Sequence, residues 1–310
     1  MIRIFTFLSL IAASTLTHSD LIKHADQQIH IQYTSSLDKA ESQQTYRWLQ
    51  QVTGALLTVY GAWPKDTFNI AIQRSSSRHS PVPWGQVTRG NPDTVTLVIN
   101  PEFNLQEITD DWTAFHELSH LLIPYRGHGD LWFSEGLASY YQNIIQARSG
   151  LLSETDLWQK LASGFARGHK QNSWSQVDLV KISDNMRRYR SFMRVHWSGV
   201  HYWLTADIKL RQQSQNKMTL DTLLKQLKDC CEHKSMSAAA IARKLDRLAK
   251  TDIFKPLFDE YRASHAMPDY QRVLSDLGVI TGQYDGGYDV QLTADAPNVE
   301  IRKSIYQGGV

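Results

Sequence analysis

The stretch TDDWTAFHELSHLLI, residues 109–123, contains the sequence HELSH at positions 116–120. Its apolar residues recur at helical spacing, which predicts one helix over the whole stretch. On a helix, residues four apart lie on nearly the same face, about 6 Å apart along the axis. His116 and His120 are therefore predicted to bind a single zinc ion, with Glu117, rotated by about 100°, beside the metal.

Two histidines leave a catalytic zinc ion in need of a third protein ligand. The next predicted helix, residues 134–147, carries Glu135. Fourteen residues lie between His120 and Glu135. Asp130 and His128, in the Gly-rich segment before that helix, are the alternatives. A carboxylate fixed on a packed helix suits a metal site better than a loop residue does, so Glu135 is the predicted third ligand.

On either side of this stretch the pattern differs. Alternating and β-branched segments before it predict strands at 29–33, 67–72 and 94–99 and a helix at 38–60. Residues 74–93 are predicted to form a long loop with some extended backbone. Helical spacing after it predicts helices at 153–165, 184–193, 199–211, 220–227, 238–249, 253–264 and 270–277. The chain is thus divided into an N-terminal α/β lobe (20–105), a helical zinc-binding lobe (106–280) and a C-terminal tail of strand or loop (281–310). The predicted fold class is α+β.

Composition excludes several classes of protein. The 310 residues are 42% hydrophobic and 21% charged, which excludes disordered and fibrous chains. A net charge of +2 gives no electrostatic signal for nucleic acid, and no such partner is expected. The two cysteines, Cys230 and Cys231, are adjacent, which excludes a multi-disulfide scaffold. A vicinal disulfide, two buried thiols and an intermolecular bridge all remain open.

Residues 1–19 have the layout of a signal peptide, with Arg3 before an apolar run (4–16) and then small residues. The run is shorter than the roughly 20 residues that span a membrane, and no later stretch approaches that length. We therefore expect an exported protein, periplasmic or secreted, without stable membrane insertion. Its mature chain is expected to begin between residues 14 and 20.

The sequence HELSH followed by LWFSEGLASYY (131–141) resembles the gluzincin zinc peptidases and, more narrowly, the glycyl aminopeptidase family. That family's ligand helix carries a W-x-x-E-G-x-x-S-Y-Y pattern, and the resemblance continues in MRVHWSGVHYWLTADIKLR (193–211). It covers about residues 105–280 and is weaker over 29–104. The resemblance implies a thermolysin-like, two-lobed metallopeptidase catalytic domain, without the PDZ-like region that the family often carries. It also implies Zn²⁺ as cofactor and a peptide or protein as substrate.

The resemblance further implies the roles of two residues. Glu117 is expected to act as general base and to pass the proton on to the leaving amine. His196 stands where the family has a tyrosine that helps to stabilise the oxyanion, and it is the predicted donor at that position. Tyr189, His201 and Tyr202 lie close in sequence and are the alternatives.

The sequence says less about the substrate. In related aminopeptidases a Gly-rich edge strand carries a glutamate that binds the free α-amino group. The similar stretch here, VPWGQVTRG (82–90), has Gln86 and no acid, so it predicts no strict aminopeptidase specificity. Trp112 and Trp132 flank the metal-binding helices and are predicted to lie in the core. Four arginines could bind a substrate carboxylate or form a solvated helix face: Arg187, Arg188, Arg190 and Arg194.

The predicted function is that of an exported zinc metallopeptidase, which hydrolyses peptide bonds with zinc-activated water and Glu117 as base. One alternative is a catalytically silent peptide-binding protein on the same fold. Another is a zinc hydrolase that acts on a non-peptide amide or an epoxide. A degenerate enzyme tends to lose its base before its fold, so the presence of Glu117 together with all three predicted ligands favours an enzyme.

Overall fold

The computed structural model describes residues 19–171, 173–284 and 287–308. Its N-terminal part contains five strands: β1 (Ser19–His24), β2 (Gln27–Tyr33), β3 (Thr67–Arg74), β4 (Trp84–Thr88) and β5 (Thr94–Ile99). They form one sheet in the order β1-β2-β3-β5-β4. The inner strands β2, β3 and β5 pair in parallel, and the edge strands β1 and β4 are antiparallel to their neighbours. The edge strand β4 lies within the segment predicted as a long loop.

The predicted signal peptide, residues 1–19, lies outside the described residues apart from Ser19, which begins β1. Within the described ranges, no helix is long and apolar enough to cross a membrane. Export stays a prediction.

The first helix, α1 (Lys39–Leu56), follows β2 and belongs to the same lobe. Asp38 caps it: its carboxylate accepts from the backbone N–H of Glu41, while the Glu41 carboxylate accepts from the backbone N–H of Asp38. Buried residues on one face of α1, among them Trp48 and Val52, join the inward residues of the strands in a single hydrophobic core.

The rest of the chain is mainly helical. Its helices are α2 (Leu105–Asp110), α3 (Thr113–Ser119), α4 (Leu131–Arg148), α5 (Glu154–Lys170), α6 (Leu179–Ser183), α7 (Met186–Tyr189), α8 (Phe192–Gln213), α9 (Leu220–Cys231), α10 (Ala238–Ala249), α11 (Phe254–Arg262) and α12 (Tyr270–Asp276). A hairpin and a last helix follow: β6 (Val279–Tyr284), β7 (Gly287–Leu292) and α13 (Val299–Gln307). A 3₁₀ turn (His120–Leu122) extends α3.

Helices α4 and α8 cross with their backbones in contact. A Cβ atom added to Gly136 would lie 2.3 Å from backbone atoms of Gly199, and one added to Gly199 would lie 2.1 Å from the carbonyl oxygen of Trp132. Only glycine therefore fits at this crossing. The close approach brings Glu135 on α4 near His196 on α8.

We expect Gly136→Ala to destabilise the protein by about 1–3 kcal/mol, the usual cost of overpacking a core. Gly54→Ala in α1 is the matched control, because a Cβ added there meets nothing within 4 Å. That change should stabilise the protein by roughly 0.5–1 kcal/mol, since alanine restricts the unfolded chain. Denaturant unfolding of both variants measures the difference, and equal stabilities would contradict the tight crossing.

The predicted single helix over 109–123 is wrong, because the chain breaks between α2 and α3. Asp111 has an extended backbone (φ −69°, ψ 135°). Its carboxylate accepts a hydrogen bond of 2.8 Å from the backbone N–H of Thr113, so it competes with the helix and starts α3 instead. The next helix begins earlier than predicted, at Leu131.

The sequence predicts strand or loop for the tail, residues 281–310. That prediction is wrong at the end of the tail, where α13 is a helix. The hairpin of β6 and β7 agrees with the expectation, but a helix follows it. Arg302 fixes this helix to the body of the protein. Its guanidinium donates to the carbonyl oxygens of Leu277 (3.3 Å) and Gly278 (3.0 Å) and pairs with Glu154 (2.9 Å).

Cys230 and Cys231, at the end of α9, are joined in a vicinal disulfide. This is the first of the three arrangements that the sequence leaves open. Neither cysteine lines the cavity that contains His116, His120 and Glu135.

Candidate metal centre

The three predicted metal ligands lie together between α3 and α4. His116 lies on α3, His120 begins the 3₁₀ turn, and Glu135 lies on the second turn of α4. The Oε2 atom of Glu135 is 3.2 Å from Nε2 of His116 and 3.7 Å from Nε2 of His120. All three ligand atoms lie within 4.8 Å of one another. These separations suit donors that share one ion at about 2.0–2.2 Å.

The other ring nitrogens of the two histidines have hydrogen-bond partners of their own. Nδ1 of His116 donates to Oε1 of Gln142 (2.8 Å), and Nδ1 of His120 is 3.0 Å from the Ser134 hydroxyl. These partners orient the rings and leave both Nε2 atoms free to bind a metal. Sequence reasoning missed Gln142, although it lies two helical turns after Glu135, on nearly the same face of α4.

Burial and charge set the protonation of these groups. Burial lowers the pKa of His120 to about 3, which keeps its imidazole neutral. Burial also opposes protonation of His116, but the hydrogen bond and the charge of Glu135 outweigh it and raise that pKa. Burial alone would raise the pKa of Glu135, yet His120 and His196 hold it below its ordinary value, because their rings carry positive charge at the low pH at which Glu135 would take up a proton. Glu135 is therefore ionised, as a metal ligand must be.

Glu117 lies beside the ligand cluster and not within it. It is only 9% exposed, and burial raises the pKa of its carboxyl group to about 7. Its Cγ atom lies against β4, where a Cβ added to Gly85 would come within 2.5 Å of it. A larger residue at that position of β4 would displace the Glu117 side chain.

A cavity of about 260 Å³ opens over the cluster. It lies between β4 on one side and the metal-binding helices on the other. Its lining residues are Gly85, Gln86, Val87, Arg89, His116, Glu117, His120, Tyr125, Gly127, Leu131, Ser134 and Glu135. Gln86 thus lies on its wall.

His196 also lies at this cluster. Its Nε2 atom is 3.6 Å from Oε2 of Glu135, and its ring stacks on that of His116 with 5.9 Å between centroids. Its Nδ1 atom is 3.3 Å from the Ser139 hydroxyl. Burial lowers the pKa of His196, which favours a neutral ring.

Two of the alternatives to His196 have hydrogen-bond partners away from the cluster. The Tyr202 hydroxyl is buried and donates to the carbonyl oxygen of Phe254 (2.9 Å). The ring of His201 is buried against the Tyr261 hydroxyl (2.6 Å). The third alternative, Tyr189, packs against Trp174. Neither Tyr189 nor His196 lines the cavity, but His196 lies against Glu135 of the cluster.

The alternatives for the third metal ligand lie outside the cluster. Asp130 pairs with Arg262 (2.8 Å), and His128 is exposed on the loop. Of the four clustered arginines, Arg194 is buried and donates to main-chain carbonyl oxygens, including that of Trp174 (2.9 Å). The other three are exposed: Arg187, Arg188 and Arg190.

The two tryptophans that flank α3 and the start of α4 differ in their exposure to solvent. Trp132 is fully buried, as predicted. Trp112, also predicted to lie in the core, is 50% exposed, so that prediction is wrong. Trp112 immediately precedes α3, and the extended backbone of Asp111 turns the chain towards solvent there. Its ring meets that of His116 edge to face, with 5.5 Å between centroids.

The model of the M61 glycyl aminopeptidase family matches residues 126–219 of this chain. The matched range includes Glu135 and His196 and begins after the HELSH sequence. Among curated proteins, none has a sequence that matches this chain significantly.

Solved structures have a similar fold. An aminopeptidase N family protein from Idiomarina loihiensis has a TM-score of 0.60 at 12% identity, over 90% of this chain and 53% of its own. The M1 zinc metallopeptidase from Deinococcus radiodurans has a TM-score of 0.50 at 15% identity, over 81% of this chain and 52% of its own. A mutant of that enzyme bound to the substrate Tyr-Ser-Ala is equally similar. The chain thus spans about half the length of these structures.

These likenesses show that the fold is similar to part of the fold of these two proteins. It is the predicted α+β class, with an N-terminal sheet followed by a helical lobe. The family match supports the narrower resemblance to gluzincin peptidases of the glycyl aminopeptidase type.

Proposed function

We propose that this chain is a zinc-dependent peptidase, exported through its N-terminal segment, with Glu117 as general base. The observation that carries the proposal is the convergence of His116, His120 and Glu135, with Glu117 on the wall of the same cavity. The likeness of the fold to metallopeptidases and the family match support it.

The donor set fits zinc. Two imidazole nitrogens and one carboxylate oxygen are a usual set in catalytic zinc sites, which keep one further position open. Gln142 and Ser134 hold the two imidazoles by their Nδ1 atoms, so that their Nε2 atoms face Glu135. When bound there, zinc supplies Lewis-acid activation of water and of the scissile carbonyl group.

The side chains around the cluster supply proton transfer and stabilisation of the oxyanion. Glu117 accepts the proton of the attacking water and passes it to the leaving amine. His196 donates from Nε2 to the carbonyl oxygen of the substrate as negative charge develops there. This role requires the proton on Nε2, and the Ser139 hydroxyl, 3.3 Å from Nδ1 of His196, is placed to donate to that nitrogen in this tautomer.

We expect one zinc ion per chain in the purified protein. Glu135→Gln should weaken zinc binding by at least about tenfold, because even residues that only hydrogen-bond to metal ligands contribute about 10–100-fold to metal affinity. Asp130→Asn is the matched control, because Asp130 pairs with Arg262. Metal analysis and competition with a chelator measure both variants. Full zinc binding by Glu135→Gln, with loss in Asp130→Asn, would show that the third ligand is wrongly assigned.

Cleavage of a mixed peptide library by the zinc-loaded protein tests the activity itself. A chelator should abolish cleavage, and zinc should restore it. A zinc-loaded protein that cleaves no peptide would contradict the proposal and favour a silent binding protein or a hydrolase of another bond.

A further inference from the structure

Three exposed arginines lie on α7 and directly after it: Arg187, Arg188 and Arg190. Among the residues that the structure describes, none of the three has a carboxylate partner. The segment around them, residues 173–194, contains five basic and two acidic residues. One of the acidic residues, Asp178, already pairs with His265 (2.6 Å). This part of the surface is therefore positively charged.

Two exposed aromatic side chains border these arginines. Trp174 is 43% exposed, and its indole N–H donates to the carbonyl oxygen of Tyr189 (2.9 Å), which fixes it to α7. Phe192 is 39% exposed and begins α8, two residues after Arg190. We call the five exposed residues the arginine patch: Trp174, Arg187, Arg188, Arg190 and Phe192. The patch combines guanidinium groups, which can donate two hydrogen bonds to a carboxylate, with apolar surface for the side chain that carries it.

Both ends of the segment that carries the arginines are fixed near the metal centre. At one end, the Ser183 hydroxyl accepts a hydrogen bond of 2.9 Å from the backbone N–H of Trp132, three residues before Glu135 on α4. At the other end, Phe192 lies four residues before His196, about 6 Å along α8. Nε2 of His196 is 3.6 Å from Oε2 of Glu135. The patch thus lies within reach of about four residues of an extended peptide bound at the metal centre.

We propose that the arginine patch binds acidic side chains of the substrate, so that the protein prefers peptides with a glutamate or aspartate within about four residues of the scissile bond. This inference rests on the proposed peptidase function and names a substrate class for that site. It places the recognition away from the reacting atoms and sets no requirement on the residues at the scissile bond itself.

The exposure of the patch sets the size of the effect. One exposed ion pair contributes at most about fivefold to binding, so one or two pairs should contribute about three- to tenfold. Dissolved salt screens exposed charges, with a Debye length of about 10 Å at 0.1 M and about 3 Å at 1 M. The preference for acidic peptides should therefore fall as the salt concentration rises.

The first test measures binding without cleavage, on the zinc-loaded Glu117→Gln variant. The probes are a dye-labelled peptide, Gly-Ala-Glu-Ala-Glu-Ala, and the same peptide with glutamine in place of glutamate. Fluorescence anisotropy should show that the glutamate peptide binds about three- to tenfold more tightly at low salt and less than about twofold more tightly at 1 M salt. This result is expected even if the protein cleaves no peptide and the proposed function fails. Equal binding of the two peptides at low salt would overturn the inference.

The second test removes the three arginines together, in the variant Arg187→Gln, Arg188→Gln, Arg190→Gln. It should bind both peptides equally, with the affinity for the glutamine peptide within about twofold of its former value. The matched control, Arg47→Gln, Arg243→Gln, Arg247→Gln, removes the same charge from exposed positions on α1 and α10 and should keep the preference. An unchanged preference in the first variant, or an equal loss in both, would contradict a role of the patch.

Steady-state kinetics on the two peptides give a separate measurement in the active protein. Glutamate in place of glutamine should lower KM by about three- to tenfold and leave kcat within about twofold, because the patch binds substrate and transition state alike. A change confined to kcat would show that the acidic side chain acts at the reacting bond and not at the patch, against the inference.

The last test distinguishes a peptide from an anionic lipid surface. Vesicles of phosphatidylglycerol are sedimented with the protein and with the variant that lacks the three arginines. We expect no vesicle binding that depends on these arginines. Vesicle binding that is lost in the variant would assign the patch to a lipid surface and overturn the inference.

Discussion

In the zinc-loaded protein, Glu117→Gln is expected to lower kcat by about 10²–10⁴-fold and to leave the zinc content and the fold unchanged. Glu117 follows His116 on α3, so its side chain points away from the ligand cluster and lines the cavity beside it. Glutamine keeps the size and polarity of this side chain but cannot accept a proton. The loss should therefore fall on proton transfer and spare metal binding.

Steady-state kinetics with zinc measured in each sample test this expectation. Glu260→Gln is the matched control, because Glu260 is an exposed glutamate on α11 outside the metal cavity. It should match wild type in kcat and in zinc content. If Glu117→Gln kept more than about a tenth of the wild-type kcat at full zinc content, the general base would have to be another group.

The candidate metal ligands are the part of the site that can be predicted from sequence, because their geometry is mostly local. His116 and His120 share a helix face through their spacing alone, and the structure keeps that relation although α3 tightens into a 3₁₀ turn at His120. Glu135 is the predicted third ligand because a side chain on a packed helix is held in place more firmly than one on a loop. The structure places it at the cluster and turns Asp130 towards Arg262.

The fold features that the sequence did not predict depend on contacts with distant residues. The exposure of Trp112 follows from the break at Asp111, where a side-chain hydrogen bond overrides the helical pattern. The last helix, α13, is fixed by Arg302, whose partners lie about 25 and 148 residues away in the chain. No local pattern in the sequence indicates such partners.

The oxyanion donor could be predicted from the sequence only in part. His196 and Tyr202 are six residues apart on α8, about 240° around the helix, so both cannot face the metal centre. Helical geometry alone could thus have separated them. It could not show which of the two faces the metal, because that depends on how α8 crosses α4 at Gly136 and Gly199.

His196→Ala is expected to lower kcat by about 10²–10³-fold, the usual effect of removing one oxyanion donor. A donor that acts on developing charge strengthens mainly in the transition state, so KM should change little. Zinc content should stay constant, because His196 lies outside the ligand group formed by His116, His120 and Glu135. His265→Ala is the control, since His265 is exposed and pairs with Asp178 far along the chain.

His196→Tyr separates a donor from a residue that merely fills space. A phenol remains a neutral donor up to about pH 10, so this variant should recover much of the lost kcat below that pH and lose it as the phenol ionises above it. The Ser139 hydroxyl, now 3.3 Å from Nδ1 of His196, would have no ring nitrogen to orient. If His196→Ala stayed within about threefold of wild type, far below the loss expected for an oxyanion donor, His196 would have no catalytic role. Because Tyr202 and His201 are buried with other partners, the donor would then have to come from β4, which lines the metal cavity.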